Sequence, residues 1–438
     1  MKIAIIGAGI AGLGAAWALS RQRQHEVTVL EANAYPGGHS NTVDVDYDGT
    51  RIAVDTGFIV FNNWNYPNIE KLFAHLKVPS LKSDMSFSVS VGTGAQRGQL
   101  EWNGNTFGSL FAQKRNLLSL RFHRMWRDIL RFNRHAVLDL ESGRLGGLTL
   151  GAYLEREGYS ESFMLDYLLP MGAAIWSAPL RDMLAFPAVT FARFFRNHGL
   201  LSINDRPQWS TVLGGSREYV RRLIADSRID LKLSTPVRQL TRAADGVLLH
   251  TDTGSRGPFD QVLLACHGDQ ALRILGEEAS EQERAILGCF RFQPNRAILH
   301  RDLNQMPLRR RAWASWNYLS EPRRDLERRV GLTYWMNLLQ GIDNRHPLFV
   351  TLNPIEEPDP AKVFARFDYE HPLFDSAAVA AQSRLEEIQG RNRLWFAGAW
   401  SGYGFHEDGF TAGLRVAAAL GATLPFTAEL APRHLEAA

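Results

Sequence analysis

The chain opens on a short apolar run, Lys2 to Ile6, which passes at once into a glycine-rich turn and then into a stretch with helical spacing. A second apolar run, Glu26 to Leu30, ends in the acid Glu31. Short apolar runs bounded by turn signals predict buried strands, so the beginning reads as strand, helix, strand. Alternation at Val43, Val45 and Tyr47, then at Ile52 and Val54, predicts a hairpin, and a helix is expected near Ile69 to Leu76. From about 85 to 210 the texture changes to helical periodicity, with more aromatic residues and many arginines. Residues 211 to 270 return to α/β character, with a helix after Gly215 and short strands around Leu231, Val237, Val247 and Val262. Residues 271 to about 385 are mixed, with strand-like runs near Trp313, Tyr334 and Phe349. The last block offers a strand, Leu394 to Ala397, and a helix from Asp408.

The first turn carries chemistry. In Gly7-Ala8-Gly9-Ile10-Ala11-Gly12, Gly7 allows the tight strand-to-helix turn and Gly9 lets the backbone approach a pyrophosphate. Gly12 lets helix and sheet pack closely, and the exposed amides of the first helical turn receive the negative charge. Glu31, at the end of the second strand, is placed to accept from ribose hydroxyls, and an acid there repels a 2′-phosphate. Strand, turn, helix and acid in this order predict a site for the ADP moiety of a dinucleotide.

Leu30-Glu31-Ala32-Asn33-Ala34-Tyr35-Pro36-Gly37-Gly38 resembles the extended fingerprint of the flavin amine oxidase and carotenoid desaturase superfamily. The resemblance continues through Val54-Asp55-Thr56-Gly57-Phe58, Leu213-Gly214-Gly215-Ser216 and Thr235-Pro236-Val237. It closes with Trp395-Phe396-Ala397-Gly398 and Gly404-Phe405-His406-Glu407-Asp408-Gly409. It therefore spans the chain end to end. The middle, Ala314 to Tyr318 and Leu332 to Asn337, is most similar to a bacterial branch of NAD/FAD-binding proteins linked to modification of unsaturated or methyl-branched fatty acyl chains.

What the resemblance implies is an α/β fold with a Rossmann-like FAD-binding domain and an inserted α+β substrate domain. The FAD domain is then assembled from 1–84, 211–270 and 386–438, and the substrate domain from 85–210 and 271–385. It implies non-covalent FAD, held by Gly7, Ala8, Gly9, Ala11, Gly12, Glu31, Ala32, Gly37, Gly38 and His39 at the first end. Thr56, Gly57, Phe58, Val237, Gly398, Ala399, Glu407, Asp408 and Gly409 complete the set. A helix starting at Asp408 would aim its positive end at the flavin pyrimidine ring, stabilising the reduced state by roughly 0.3 to 2 kcal/mol. Two departures stand out. The family often has an acid after the Ala-Gly pair, where this chain has Ala399, and usually has arginine after the double glycine, where it has His39.

Composition narrows the rest. Hydrophobic content of 45% and charged content of 22% describe a globular protein, and 438 residues exceed a single ordinary core. A net charge of +3, without basic runs interleaved with aromatics, argues against nucleic acid. Two cysteines, Cys266 and Cys289, provide neither metal-ligand spacing nor a disulfide scaffold, so no metal site is expected. No apolar run approaches the ~20 residues that span a bilayer, and the expected setting is cytoplasmic.

Amine oxidases of the superfamily commonly use a lysine near the flavin, and this chain has none between Lys232 and Lys362. They also bracket the amine with aromatics, for which Phe405 and Tyr403 are the counterparts. With 24 Phe and 11 Trp, the chain instead offers lining for an apolar substrate, the candidates being Phe405, Tyr403, Trp316, Tyr334 and Trp335. Trp313 and Tyr318 lie on the same strand-like runs, of which alternate residues face one cavity. The resemblance thus favours desaturation or isomerisation of an unsaturated or methyl-branched fatty acyl chain by hydride transfer to flavin N5. Alternatives are an amine oxidase acting on a primary or secondary amine, and a non-catalytic flavin-bearing partner of a lipid-modifying enzyme. His406, then His267, are the candidate proton acceptors, since imidazole exchanges protons near neutral pH.

Between Lys114 and His135, Arg121, Arg124, Arg127, Arg131 and Arg134 recur at three or four residues. They interleave with Leu120, Phe122, Met125, Trp126, Ile129, Leu130 and Phe132, a basic amphipathic helix suited to an anionic membrane surface.

Overall fold

A computed structural model describes residues 1–431 apart from 177 and 203–205; the end of the C-terminal segment, 432–438, lies outside the described residues. Its centre is a five-stranded parallel sheet ordered Ile229–Lys232, Glu26–Leu30, Lys2–Ile6, Gln261–Leu264 and Leu394–Phe396. These strands are apolar on both faces, as a sheet covered on both sides must be. Ile3, Ile5, Val27, Val29 and Leu263 enter one core, while Ala4, Ile6, Leu30, Val262 and Leu264 enter the other.

The helix Ile10–Ser20 is buried at every residue because it is wedged between this sheet and the helix His406–Ala419. Glycines make that crossing possible. A Cβ on Gly14 would stand 2.6 Å from the Phe410 ring, and one on Gly413 would stand 2.1 Å from the Ala11 carbonyl oxygen. The strand before each helix and the close pack between them bring both helix N-termini together, with Gly409 against Ile10.

The second layer is a seven-stranded sheet ordered Val363–Leu373, Arg291–His300, Phe349–Leu352, Val330–Trp335, Trp316–Ser320, Phe87–Val91 and Leu100–Asn103. It is antiparallel except where Trp316–Ser320 runs parallel to Phe87–Val91. The last two strands lie in the region expected to be helical, although the alternation Phe87-Ser88-Val89-Ser90-Val91 is plain in the sequence. Trp313 is not in a strand; it follows a short 3-10 turn, and the strand begins at Trp316. The hairpin Thr42–Tyr47 and Thr50–Asp55 sends Val45, Tyr47 and Val54 into a core shared with this sheet.

Helices Leu120–Glu141, Leu150–Arg156, Leu169–Trp176, Leu180–Ala185 and Ala188–Asn197 form a third body around an aromatic core. In the longest of them Phe122, Met125, Ile129 and Phe132 point inward, so this part of the expected amphipathic stripe packs the core and not a membrane. Among the described residues no helix is long and apolar enough to cross a membrane.

Candidate functional site

The glycine turn forms a cradle. Gly9 begins its helix in extended conformation, with no side-chain cap, and a Cβ there would meet nothing within 4 Å. Gly12 is the opposite case, since a Cβ would stand 2.0 Å from the Gly7 carbonyl oxygen. The double glycine closes over the turn: the Gly37 amide donates to the Ala8 carbonyl at 2.7 Å, and Gly38 lies against Gly9. Glu31 accepts from the Ala8 amide at 2.7 Å and from the Asn33 amide at 2.8 Å. Each oxygen keeps a lone pair, as a ribose contact needs. The Thr235 amide donates to the Glu31 carbonyl at 2.7 Å, which sets the segment leading to Val237 beside this acid, while Ala32 lies exposed next to it. Anion-binding amides, open space and an inward acid fit the ADP half of a dinucleotide.

Beyond the turn, residues 39–41 and 56–58 are laced together. The Phe58 amide donates to the His39 carbonyl at 2.7 Å and the Thr56 amide to the Asn41 carbonyl at 2.9 Å. Gly57 has no room for a side chain, because the His39 carbonyl oxygen would lie 2.2 Å from its Cβ. The strand Val363–Leu373 adds two residues that the sequence reading missed. Tyr369 bonds through its hydroxyl to Thr56 at 2.7 Å and Asn41 at 3.0 Å, and stacks on His39. His371 lies 5.4 Å from His39, ring centre to ring centre. Their signal was the alternation Phe367-Tyr369-His371, legible only once the strand was known.

His39 Nε2 and His371 Nδ1 are buried without a hydrogen-bond partner. Burial, reinforced by neighbouring histidines, pushes His39 down to about 4 and His371 to about 3, so both rings are neutral. Unspent buried ring nitrogens at the end of a dinucleotide cleft fit a polar cofactor bound between them. His39 is thus a neutral donor and acceptor in this part of the cleft.

The C-terminal segment crosses the cleft after Leu394–Phe396. Gly398 is packed by the Trp400 indole, whose N–H donates to the Cys266 carbonyl at 3.0 Å, and Ala399 abuts Gly409. The helix begins at His406, two residues before the expected start. The Glu407 carboxylate accepts from the Asn68 and Ile69 amides at 2.9 and 3.0 Å, capping the helix Pro67–His75. Asp408 accepts from the Phe405 amide at 2.9 Å and so caps its own helix. Both acids shape the cleft wall through the backbone.

The histidines expected to take a proton have other settings. His406 Nε2 lies 2.9 Å from Ser40 Oγ and 2.7 Å from Tyr219 Oη, and its ring stacks on Phe58 at 3.8 Å. Burial pushes it to about 3. The ring is therefore neutral, with Nε2 engaged by two hydroxyls. His267 stacks on Phe292 at 4.1 Å with Nδ1 3.3 Å from Glu370, and burial holds it at about 4.

The candidate substrate residues divide by strand register. Trp316 opposes Tyr334 with rings 5.0 Å apart, and Tyr318 opposes Leu332 on the same face. Trp335 faces the other way, toward Trp313 and Phe349, so alternation removes it from that face. Phe405 stacks on Phe194 and lies near His198, and Tyr403 packs beside the same Phe194, joining the cleft to the helical body. Between that body and the sheet lies a cavity of about 550 Å³, with Leu180, Tyr318, Leu332 and Leu352 in its apolar wall and Arg181, Asp182, Arg296, Glu327, Arg328 and Arg329 in the rest of its lining. Gln293, also in its wall, is the ladder partner of His371. One strand spacing, about 4.8 Å, therefore separates the backbone of this wall residue from that of His371.

The family model for flavin containing amine oxidoreductases matches residues 10–291 of this chain. Among solved structures, the chain is similar to a CLA-producing fatty acid isomerase from P. acnes, at TM-score 0.66 and 16% identity, covering 96% of this chain and 98% of that one. It is similar to a putrescine oxidase bound to putrescine, at TM-score 0.63 and 16% identity, covering 96% and 99%. A cyclohexylamine oxidase from Brevibacterium oxydans IH-35A follows at TM-score 0.62 and 16% identity, covering 96% and 98%. At these identities the likeness is one of fold. No curated protein matches by sequence.

Proposed function

The chain belongs to the flavin-containing amine oxidoreductase family and is an FAD-dependent oxidoreductase, and from that premise we propose that its substrate is an unsaturated or methyl-branched fatty acyl chain, which it desaturates or isomerises. The observation that supports this reading is a cavity along one sheet face, apolar on the side of Leu180, Tyr318, Leu332 and Leu352, whose wall includes Gln293, the strand neighbour of His371. A volume of about 550 Å³ is in the range of small-molecule sites, and its apolar side offers an alkyl chain contact beside the charged side chains Arg181, Asp182, Arg296, Glu327, Arg328 and Arg329. Each buried methylene contributes roughly 0.8 kcal/mol before ordering costs, so a dozen contribute up to about 10 kcal/mol gross.

Bound FAD supplies the two-electron acceptor. The protein's part is to bind, orient and keep water out. Gly9, Gly12, Glu31 and the double glycine hold the nucleotide end, while His39, His371, Thr56 and Tyr369 line the far end. The sheet face bearing Tyr318 and Leu332 guides the chain, and Phe405 closes the cleft against Phe194. In this reading His406 is a positioning residue, tying Ser40 to Tyr219. The lysine that amine oxidases of the superfamily use has no counterpart here. Lys362, the first lysine after Lys232, is held by Asp302 at 3.0 Å and Asp359 at 3.6 Å.

The test is anaerobic addition of phospholipids with unsaturated or methyl-branched chains to the oxidised holoenzyme, with primary and secondary amines in parallel. Bleaching of the flavin, or a shifted double bond in the recovered acyl chains, is expected with lipid and not with amines. Bleaching by amines alone overturns the acyl reading in favour of an amine oxidase.

A further inference from the structure

The helix Leu120–Glu141 and the turn before it present an outer face that the fold leaves unexplained. With Phe122, Met125, Ile129 and Phe132 turned inward, packing demands nothing apolar on the solvent side. Yet Leu118 is 90% exposed and Leu120 78%, and Leu117, Leu130 and Leu138 are also exposed. Five of the thirteen exposed large hydrophobic residues of the described chain thus fall within 22 positions. Exposed leucines scattered singly mean little, but a cluster on one element marks an interaction surface. The turn is held in place, since the His123 Nε2–H donates to the Leu117 carbonyl at 2.7 Å.

The charges around those leucines are of one sign. Residues 114–135 hold seven basic side chains and one carboxylate, Asp128, so this segment alone exceeds the +3 of the whole chain. Asp128 is buried and faces inward, where Arg131 approaches it at 3.5 Å. Lys114, Arg124 and Arg134 have no ion-pair partner among the described residues, and Arg127, largely exposed, approaches Asp128 only to 3.9 Å. At helical spacing, Leu120, Arg124, Arg127, Leu130, Arg134 and Leu138 share the outward face.

We infer that residues 114–138 dock this protein onto an anionic phospholipid bilayer, with leucines at the acyl boundary and arginines at the phosphates. Arginine pairs with phosphate through its planar fork, and leucine finds a partner in acyl chains but none in a nucleic acid backbone. The site lies next to the cavity. Arg121, at the start of the docking helix, holds Asp166 at 2.8 Å, and Asp166 lies 3.9 Å from Arg328, which lines the cavity. The inference is independent of the substrate reading, since vesicle binding can succeed or fail whatever the flavin oxidises.

The experiment is co-sedimentation of the full-length holoenzyme with phosphatidylcholine vesicles, with and without about 30 mol% phosphatidylglycerol. Binding is expected on the anionic vesicles and is lost as salt rises from about 0.1 to 0.5 M. Each basic residue at such a surface contributes about fivefold to partitioning, so reversing Arg124, Arg127 and Arg134 to Glu should abolish pelleting. The double variant Leu118→Asp, Leu120→Asp should lower partitioning roughly tenfold or more, with flavin content and thermal unfolding unchanged. Equal binding to neutral vesicles, no pelleting at low salt, or wild-type binding by the leucine variant overturns the inference. So does a lipid-free dimer that the leucine variant converts to monomer without any vesicle binding, which would assign the face to a second copy of this chain.

Discussion

Gly9 and Gly12 stand three residues apart in one turn, and the structure assigns them opposite failures on replacement by alanine. At Gly12 a Cβ would stand 2.0 Å from the Gly7 carbonyl oxygen and 3.2 Å from the Ala265 Cβ. Ordinary contact needs well over 3 Å, so the helix must lift from the sheet by more than an ångström. Overpacking of that kind costs about 1 to 3 kcal/mol or more, against about 1 kcal/mol gained in helix propensity. The expected net is a loss of roughly 2 kcal/mol in the flavin-free protein. At Gly9, φ is −76° with ψ −177°, which any residue adopts, and the methyl meets nothing. Gly9→Ala should leave the flavin-free protein as stable as wild type, or more stable by about 0.4 to 1 kcal/mol through the unfolded chain. Its methyl would instead occupy the space where the backbone meets the pyrophosphate, and a loss of about 100-fold in FAD affinity, about 2.7 kcal/mol, is expected. Thermal unfolding of flavin-stripped protein and titration by FAD fluorescence quenching separate the two effects. A Gly9→Ala protein that binds FAD within about threefold of wild type would refute the cradle, and wild-type stability of Gly12→Ala would refute the packing.

Other perturbations have equally definite outcomes. His300 is fully buried, accepts from the Asp302 amide on Nδ1, and so donates from Nε2 to Thr351 at 2.7 Å. Burial pushes it from 6.5 to about 4, so its contribution is complete above pH 6.5 and is lost as pH falls toward 4, a total of about 3 kcal/mol. Urea unfolding of His300→Gln should show that much less loss over this range, and identical slopes would count against the assignment. Glu407→Gln should destabilise by about 1.5 to 3 kcal/mol, read as a lower urea midpoint, because the carboxylate takes two buried amides at a helix start. No shift in midpoint would mean that the cap is not made. His406→Gln should slow flavin reduction by less than about fivefold while loosening FAD, whereas a loss of 100-fold or more with FAD retained would restore it as the proton acceptor.

The local parts of this protein were readable along the chain because their causes are local. A turn that admits only glycine, an acid at the end of a strand and short apolar runs bounded by polar residues each declare themselves within a few positions. That is why the strands Lys2–Ile6, Glu26–Leu30 and Leu394–Phe396, the Gly9 cradle and Glu31 were all legible. The misses share another cause. Strands Phe87–Val91 and Leu100–Asn103 were submerged in a region whose wider period is helical, although they join a sheet formed mostly some 200 residues later.

Side-chain direction was decided by tertiary structure alone. Trp316 and Trp335 have the same composition signal, yet cross-strand register puts them on opposite faces of one sheet. The Glu407 carboxylate found its two amide partners only in the helix Pro67–His75, more than 330 residues earlier in the chain. His371 gained its meaning only by meeting His39 across the cleft. Sequence thus determined which elements form and where a dinucleotide can lie, since both depend on backbone freedom and on burial along a short stretch. Which side chains face the cleft was settled by partners distant in sequence, because a buried polar group goes wherever an unsatisfied donor or acceptor meets it.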